Sequence, residues 1–185
     1  MSDKYNIIYC DPPWDYRNQQ QHSTGGRKTG GAVSHYSCLK LKDLKNLPIK
    51  EITDKDCLIF MWSSSPHLDQ AIDLMKAWGF KYATIAFVWD KMRVNPGFYT
   101  MSQCEICLVG KMGKIPFPRG ARNIRQLVTD KRRAHSQKPD EVRKRIEQMF
   151  PEQSKIELFA RGACEGWDVW GDEVESSISF PEMIK

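Results

Sequence analysis

Short β-rich runs alternate along this sequence with segments of helical periodicity. Each run has the length of a buried strand, and polar or glycine-containing stretches separate it from the next helical segment. This alternation is typical of an α/β domain in which a mostly parallel sheet has helices on both faces. The predicted strands are residues 5–10, 56–62, 80–89, 104–110, 124–129 and 155–160, with a last short one around 169–170, and the predicted helices are 41–47, 68–75 and 139–149.

The chain is long enough for one domain with a single core. We find no internal repeat and no linker, so residues 1–174 are predicted to form one domain and residues 175–185 a flexible tail. No apolar run approaches the roughly 20 residues of a membrane helix, and the amino terminus does not resemble a signal peptide. Cys104 and Cys107 form a lone pair and the histidines lack metal spacing, so no metal site is predicted.

Asp11-Pro12-Pro13-Trp14 directly follows the first predicted strand. Prolines cannot continue a sheet ladder, so the tetrapeptide lies at the strand's carboxyl end, where open α/β sheets bind ligands. The Asp11 carboxylate and a rigidly placed proline carbonyl form two acceptors, which suit the two donors of an –NH2 group such as the exocyclic amine of adenine. That amine is a poor nucleophile, and acceptors placed for a tetrahedral nitrogen favour its attack. We therefore predict the tetrapeptide as the catalytic centre, with Trp14 as a face for base stacking.

Positive charge is concentrated in residues 111–145. This stretch holds twelve Lys or Arg and three acids, a net +9, while the rest of the chain carries −4 within a total of +5. Such asymmetry indicates a polyanionic partner on one side of the molecule, with a merely solvated face as the alternative. From this stretch we predict Arg132 and Arg133 as nucleic-acid contacts.

Several further motifs occur in an order that resembles one known family. The tetrapeptide is followed by Lys138-Pro139-Asp140-Glu141, which matches K-P-D-E, and by Ile156-Glu157-Leu158-Phe159-Ala160-Arg161, which matches I-E-L-F-[AG]-R. Apolar strands ending in Trp62 and containing Glu105-Ile106-Cys107-Leu108-Val109-Gly110 also match. Over residues 5–173 the chain resembles the MT-A70 family of adenine-N6 methyltransferases, typified by the catalytic subunit of the eukaryotic mRNA adenosine methyltransferase.

The resemblance implies a Rossmann-like class I S-adenosylmethionine-dependent methyltransferase fold in circularly permuted motif order. It implies that Asp11 holds the target amine beside the amino acid end of the cofactor. The residues implied to bind S-adenosylmethionine are Asp11, Lys138, Glu157, Phe159, Arg161, Asp172 and Glu173. The segments 15–37 and 90–103 would form the walls of the substrate entrance, with Tyr36, Trp62 and Lys91 as candidate substrate contacts beside Arg132 and Arg133.

The predicted reaction is methyl transfer from S-adenosylmethionine to the N6 amine of adenine in nucleic acid. DNA is preferred, because compact members that resemble this chain are typical of bacteria and their phages, and we expect a cytoplasmic protein. RNA is the nearest alternative, and cytosine is disfavoured because related enzymes carry Ser in place of Asp11. A non-catalytic nucleic-acid-binding subunit stays open, because Asp172-Glu173 replaces the family's Asn-Gln. A homodimer is possible.

Overall fold

The computed structural model describes residues 4–14, 41–97, 99–132 and 137–180. The strands are β1 (Tyr5–Cys10), β2 (Thr53–Ser63), β3 (Lys81–Asn95), β4 (Ser102–Met112), β5 (Leu127–Thr129), β6 (Lys155–Leu158) and β7 (Asp168–Trp170). The α-helices are α1 (Leu41–Lys45), α2 (Ile49–Ile52), α3 (Leu68–Ala77) and α4 (Asp140–Met149), and a 3-10 turn at Ser65–His67 precedes α3. Within these ranges helices separate β1 from β2, β2 from β3 and β5 from β6, whereas β3, β4 and β5 follow one another directly.

The described strands form one seven-stranded sheet in the order β5-β3-β4-β2-β1-β6-β7. β1 lies at its centre and pairs in parallel with both β2 and β6. β4 pairs antiparallel with β2 and with β3, whereas the β3–β5 and β6–β7 pairs are parallel. β4 is therefore the one strand of this sheet that runs against the others, and the predicted mostly parallel α/β sheet is confirmed.

Helices cover both faces of the sheet, because apolar side chains alternate along each strand. On one face, Leu74 and Met75 of α3 pack in a cluster that contains Ile8 and Ile59, to which α1 also contributes. On the other face, α4 packs by Val142, Ile146 and Phe150 against a cluster that contains Ile7 and Phe60. None of the helices in the described ranges is long and apolar enough to cross a membrane.

Two predicted helix boundaries have different outcomes. The sequence predicts Gly79 as the C-terminal stop of the helix that begins at Leu68, and Gly79 does follow α3, with a φ of 90° that a side chain would disfavour. Pro139 is not the first helical residue as we expected, because it caps α4 with a φ of −66° and a ψ of 130°. The fixed φ of proline is compatible with the extended backbone of an N-cap, and α4 begins at Asp140.

The connection predicted as a loop over residues 90–103 is largely a β-ribbon. β3 continues to Asn95 and β4 begins at Ser102, so the loop is reduced to the residues between them. The register shifts after Asp90, whose Oδ1 atom accepts hydrogen bonds from the Met92 amide at 2.9 Å and from Gln103 Nε2 at 2.7 Å. A side chain that ties the two strands together outweighs the loop-forming composition of this stretch.

Residues 175–180, the start of the predicted tail, contact the edge strand β7. The Ser177 amide donates to the Val169 carbonyl at 2.8 Å, and the Val169 amide donates to Ser177 Oγ at 3.0 Å. The Phe180 ring meets the Trp170 ring edge to face, with 4.9 Å between centroids. These contacts place the segment against the sheet. Residues 181–185 lie outside the described ranges.

Candidate active site

The predicted catalytic tetrapeptide lies at the carboxyl edge of the sheet, between two neighbouring strands. Asp11 follows β1 directly, and the last β1 residue, Cys10, pairs with Met61 of β2 and with Leu158 of β6. Since these three strands are parallel, their carboxyl ends meet beside Asp11. This is the position at which an open α/β sheet binds its ligands.

Four charged side chains join at this edge, and we call them the charged cluster. Lys138 Nζ lies 2.7 Å from Asp11 Oδ2 and 3.2 Å from Glu105 Oε2. Lys91 Nζ lies 3.4 Å from Glu105 Oε1. Because their side chains are at most 29% exposed, these contacts are shielded from solvent. The charged cluster links residues from β3, β4, the end of β1 and the start of α4.

The electrostatics of the cluster keep Lys138 as a cation. Burial disfavours the charged form, but Asp11 and Glu105 outweigh it and raise the pKa of Lys138 above its usual value. Burial alone would raise the pKa of Glu105, but the positive charges of Lys138 and Lys91 outweigh this effect and hold the pKa of the carboxyl below its usual value. For Asp11, burial raises the pKa and Lys138 opposes the rise. Asp11 is thus the carboxyl of this pair with the greater tendency to bind a proton.

The turn after β1 engages both prolines and turns Trp14 inward. The Trp14 amide donates to the Pro12 carbonyl at 2.9 Å, and Pro12 is buried while Pro13 is half-buried. The Trp14 side chain is 5% exposed, stacks on His67 at 5.9 Å and donates from Nε1 to the Trp62 carbonyl at 3.3 Å. This placement favours packing over the predicted base stacking.

Trp62 and Lys91, two predicted substrate contacts, are also buried. Trp62 is 0% exposed, and its Nε1 donates to the Tyr9 hydroxyl at 2.6 Å. Lys138 Nζ lies 5.6 Å from the centroid of the Trp62 ring, within the range of a cation–π contact. Trp62 therefore packs against the charged cluster and Lys91 belongs to it, and neither side chain offers an open surface.

Glu157, a predicted cofactor residue, is paired with Arg143. Arg143 Nη2 lies 2.7 Å from Glu157 Oε2, and the guanidinium lies 6.0 Å from the centroid of the Tyr9 ring. Burial raises the pKa of Glu157, and Arg143 opposes this effect. The helical spacing of Val142, Ile146 and Met149 predicts that Arg143 points outward from α4. This prediction is wrong, because the buried carboxylate of Glu157 requires a cation on that side of the sheet.

The remaining predicted cofactor residues lie at the ends of β6 and β7. Phe159 has a φ of 61° and its ring meets Trp170 edge to face at 5.4 Å. The Ala160 amide donates to the Trp170 carbonyl at 3.0 Å, and a Cβ on Gly171 would lie 2.1 Å from the Ala160 carbonyl oxygen, so only glycine fits there. Arg161, Asp172 and Glu173 are exposed along this edge, which adjoins Asp11 through the β1–β6 pair.

Comparison with known proteins agrees with this geometry. The MT-A70 family matches residues 5–173. The chain belongs to the MT-A70 family. It is 48% identical to the type II methyltransferase M.MunI of Mycoplasma sp. over 96% of the chain and 82% of that protein. It is 26% identical to the N(6)-adenosine-methyltransferase MT-A70-like of Arabidopsis thaliana and 24% identical to the catalytic subunit METTL3 of Homo sapiens, over 98% of the chain but 25% and 30% of those proteins.

These similarities confirm the predicted family and the predicted methyltransferase class. The chain spans most of the Mycoplasma relative but only a quarter to a third of the plant and human ones. Within the described ranges, no three His, Cys, Asp or Glu side chains group as metal ligands.

The basic stretch of this MT-A70 chain is divided between internal and exposed positions. Lys138 and Arg143 pair with buried carboxylates, and Arg145 Nη1 donates to the carbonyls of Arg125 and Leu127. Arg132, a predicted nucleic-acid contact, is exposed beyond β5, whereas Arg133 and Tyr36 lie outside the described residues. The exposed basic residues of the stretch are Lys111, Lys114, Arg122, Arg125, Lys131, Arg132 and Lys144.

Glu105 is the site residue that sequence reasoning missed. It was noted only as part of a strand motif, although it bridges Lys91 and Lys138. Strand periodicity could have found it, because Glu105 shares a face of β4 with the buried Cys107. A carboxylate on a buried face needs a cationic partner, and this requirement marks it as more than a surface charge.

Proposed function

We propose that this chain methylates the N6 amine of adenine in DNA, with S-adenosylmethionine as the methyl donor. The observation that carries the proposal is the Asp11 carboxylate, which is held at the carboxyl edge of the sheet by Lys138 at 2.7 Å. Membership in the MT-A70 family and 48% identity to a type II methyltransferase support the same activity.

Asp11 and the Pro12 carbonyl are the proposed acceptors for the two amine hydrogens. A carboxylate offers about four lone-pair sites and a carbonyl two, so both groups can accept further bonds beside those from Lys138 and Trp14. The rigid turn and the salt bridge fix these acceptors before substrate arrives, and fixed acceptors lower the cost of forming a tetrahedral nitrogen. Because burial raises the pKa of Asp11, the same carboxylate is suited to receive the proton that the amine loses.

The residues around Asp11 fit S-adenosylmethionine. When bound, this cofactor supplies an electrophilic methyl group on a sulfonium ion. Lys138 would face its carboxylate, Asp11 its positively charged end, and Asp172 and Glu173 its ribose hydroxyls, since carboxylates accept such bonds. Phe159 and Arg161 would line the edge between them, whereas the Arg143 pair favours a structural role for Glu157. We also propose the circularly permuted motif order, in which the catalytic strand β1 precedes the cofactor strands β6 and β7.

DNA is proposed over RNA on the similarity to M.MunI, because the designation type II is used for DNA methyltransferases. The relatives named as acting on adenosine are only 24–26% identical. Exposed Lys131 and Arg132, beyond β5 at the carboxyl edge, supply positive charge for a phosphate backbone.

The decisive experiment incubates the protein with labelled S-adenosylmethionine and matched DNA and RNA pools, followed by nucleoside analysis. We expect label in N6-methyladenine from DNA. Asp11→Ala should abolish it in a protein that stays folded by circular dichroism, and Asp69→Ala, which removes an exposed aspartate on α3, should retain it. If label appears only in RNA, the substrate is RNA and not DNA. No cofactor binding by calorimetry would refute the enzyme and leave the non-catalytic subunit.

A further inference from the structure

The β3–β4 pair extends beyond the rest of the sheet. β2 pairs with β4 only as far as Ser63, opposite Ile106, and β5 pairs with β3 only as far as Thr129, opposite Asp90. Residues 91–97 and 99–105, which we call the ribbon, therefore continue as a two-stranded projection past the other described strands. Because β3 is parallel to β1, the ribbon leaves the sheet at the same edge as Asp11.

The base of the ribbon is fixed to the active site. Lys91 and Glu105, its first and last residues, form an ion pair at 3.4 Å, and Glu105 continues to Lys138 at 3.2 Å. Asp90 accepts a hydrogen bond from the Gln103 side chain across the ribbon and another from the Met92 amide of its own strand. These two hydrogen bonds hold the pKa of Asp90 below its usual value, as expected for a stable ionised clasp.

The ribbon exposes large apolar side chains from its base to its far end. Tyr99 is 99% exposed, and Met92, Val94 and Met101 are between 48% and 59% exposed. A Cβ on Gly97 would lie 2.3 Å from the Thr100 carbonyl oxygen, so position 97 requires glycine. Several exposed apolar side chains on one projecting element mark a site of interaction.

Positive charge flanks these apolar side chains. Arg93 is exposed on the ribbon itself. Lys131 and Arg132 are exposed directly after Asp130, whose carbonyl accepts the Trp89 indole N–H at 2.9 Å, so they leave the sheet beside the base of the ribbon. An aromatic tip with flanking cations matches the two surfaces of a nucleic-acid strand, stacked bases and phosphates.

We propose that the ribbon binds the DNA next to the target adenine and that Tyr99 stacks in the space which the adenine leaves when it turns out of the duplex. This inference rests on the proposed function. A base must leave the stack to reach Asp11, and an apolar side chain that fills its place offsets part of that cost. The anchored base of the ribbon sets the position of the tip relative to Asp11. A protein partner is less favoured, because Arg93, Lys131 and Arg132 add positive charge around a small apolar tip.

The test compares wild-type protein with Tyr99→Ala and Tyr99→Phe on a duplex that carries the target sequence mapped with wild-type protein, or on random duplex if no target is found. Binding is measured by fluorescence anisotropy and methylation by single-turnover rate. Because Tyr99→Ala loses one base–aromatic stack, its DNA affinity and its methylation rate should each fall about 10-fold. Tyr99→Phe keeps the ring and should stay near wild type. Placing an abasic position opposite the target adenine should reduce the Tyr99→Ala rate defect to less than about 3-fold, since the adenine then leaves the stack easily.

Phe117→Ala is the matched control, because Phe117 is also exposed, at 84%, but follows the opposite end of β4. It should bind and methylate like wild type. Wild-type values for Tyr99→Ala on the paired duplex would overturn the proposal. A change of oligomeric mass in Tyr99→Ala, by light scattering, with unchanged DNA binding would overturn it in favour of a protein contact. If wild type methylates no nucleic acid, the proposed function fails, and the anisotropy comparison still decides on the ribbon.

Discussion

The two halves of the candidate site are built in different ways. The charged cluster of Asp11, Lys138, Glu105 and Lys91 is held by side-chain contacts of 2.7–3.4 Å between distant parts of the chain. At the ends of β6 and β7, by contrast, the side chains of Arg161, Asp172 and Glu173 are exposed. This part of the site is held by backbone packing, because Gly171 lies close to the Ala160 backbone.

This difference matches the demands of the proposed chemistry. Charge changes at the amine during methyl transfer, so its acceptors act best when they are fixed and shielded from water before the reaction. The ribose half of a cofactor changes little, so exposed carboxylates on a fixed backbone are sufficient to bind it. The four predictions that follow test this division, and they begin with the residue at the centre of the charged cluster.

Lys138→Met should have the largest effect on stability. It leaves the partly buried carboxylates of Asp11 and Glu105 without their shared cation, which we expect to lower the free energy of unfolding by about 3 kcal/mol at pH 7. The loss should shrink below about pH 4, where protonated carboxyls need no cation. Urea unfolding at several pH values measures both effects.

Lys144→Met is the control for this prediction, because Lys144 is an exposed lysine on α4, the helix that follows Lys138. Its effect should stay within about 0.5 kcal/mol. Equal and pH-independent losses in the two variants would show that the charged cluster does not hold this half together.

The second prediction concerns Glu157. The family resemblance implies that Glu157 binds the cofactor, whereas in the structure it forms an ion pair with Arg143. Arg143→Ala should lower the free energy of unfolding by about 2 kcal/mol, because it leaves a carboxylate of 14% exposure unpaired. Glu157→Gln should cost less, since burial already raises the pKa of Glu157 and an amide carries no charge. Titration calorimetry should show cofactor affinity within about 3-fold of wild type for Glu157→Gln. A loss of cofactor affinity above about 10-fold would show that Glu157 contacts the cofactor.

The order of the elements was predictable because it depends on local signals. The strand before Asp11, the glycine after α3 and the apolar face of α4 all follow from composition and spacing. The ribbon was not predictable, because residues 90–103 have the composition of a loop. β3 and β4 extend into this stretch, to Asn95 and from Ser102, where the hydrogen bond between Asp90 and Gln103 joins the two strands.

The candidate site was predictable to a similar extent. Family motifs identified Asp11 and Lys138 separately, and the structure joins them although they are 127 positions apart. The direction of a side chain was harder to foresee. Trp14 turns into the core and Arg143 turns to Glu157, because each satisfies a buried polar group that lies far away in the sequence.

The third prediction is a pH dependence that arises from Glu105. The folded-state pKa of Glu105 is held low by Lys138 and Lys91, so its stabilisation is complete above the unfolded pKa of about 4.3 and is lost as pH falls through the lower folded value. Glu105→Gln should therefore lower the free energy of unfolding by about 1 kcal/mol at pH 6 and flatten its decline toward pH 3. Glu141→Gln removes a carboxylate of 47% exposure and should leave the decline unchanged. Parallel pH curves for wild type and Glu105→Gln would place Glu105 outside the charged cluster in solution.

The last prediction addresses the exposed half, where the expected change in stability is the smallest. Asp172→Asn alters an exposed side chain at the end of β7, so the free energy of unfolding should change by less than about 0.5 kcal/mol. Cofactor affinity should nevertheless fall about 10-fold, because a hydrogen bond to a charged acceptor is worth about 1.5–3 kcal/mol. Glu165→Gln, exposed in the turn before β7, should alter neither value. A variant in the charged cluster should change both the free energy of unfolding and the cofactor affinity. A variant that changes only the cofactor affinity therefore identifies a residue of the exposed half. If Asp172→Asn binds cofactor as wild type does, the exposed edge of β7 is not part of the site, and the cofactor must be held by the charged cluster and β6.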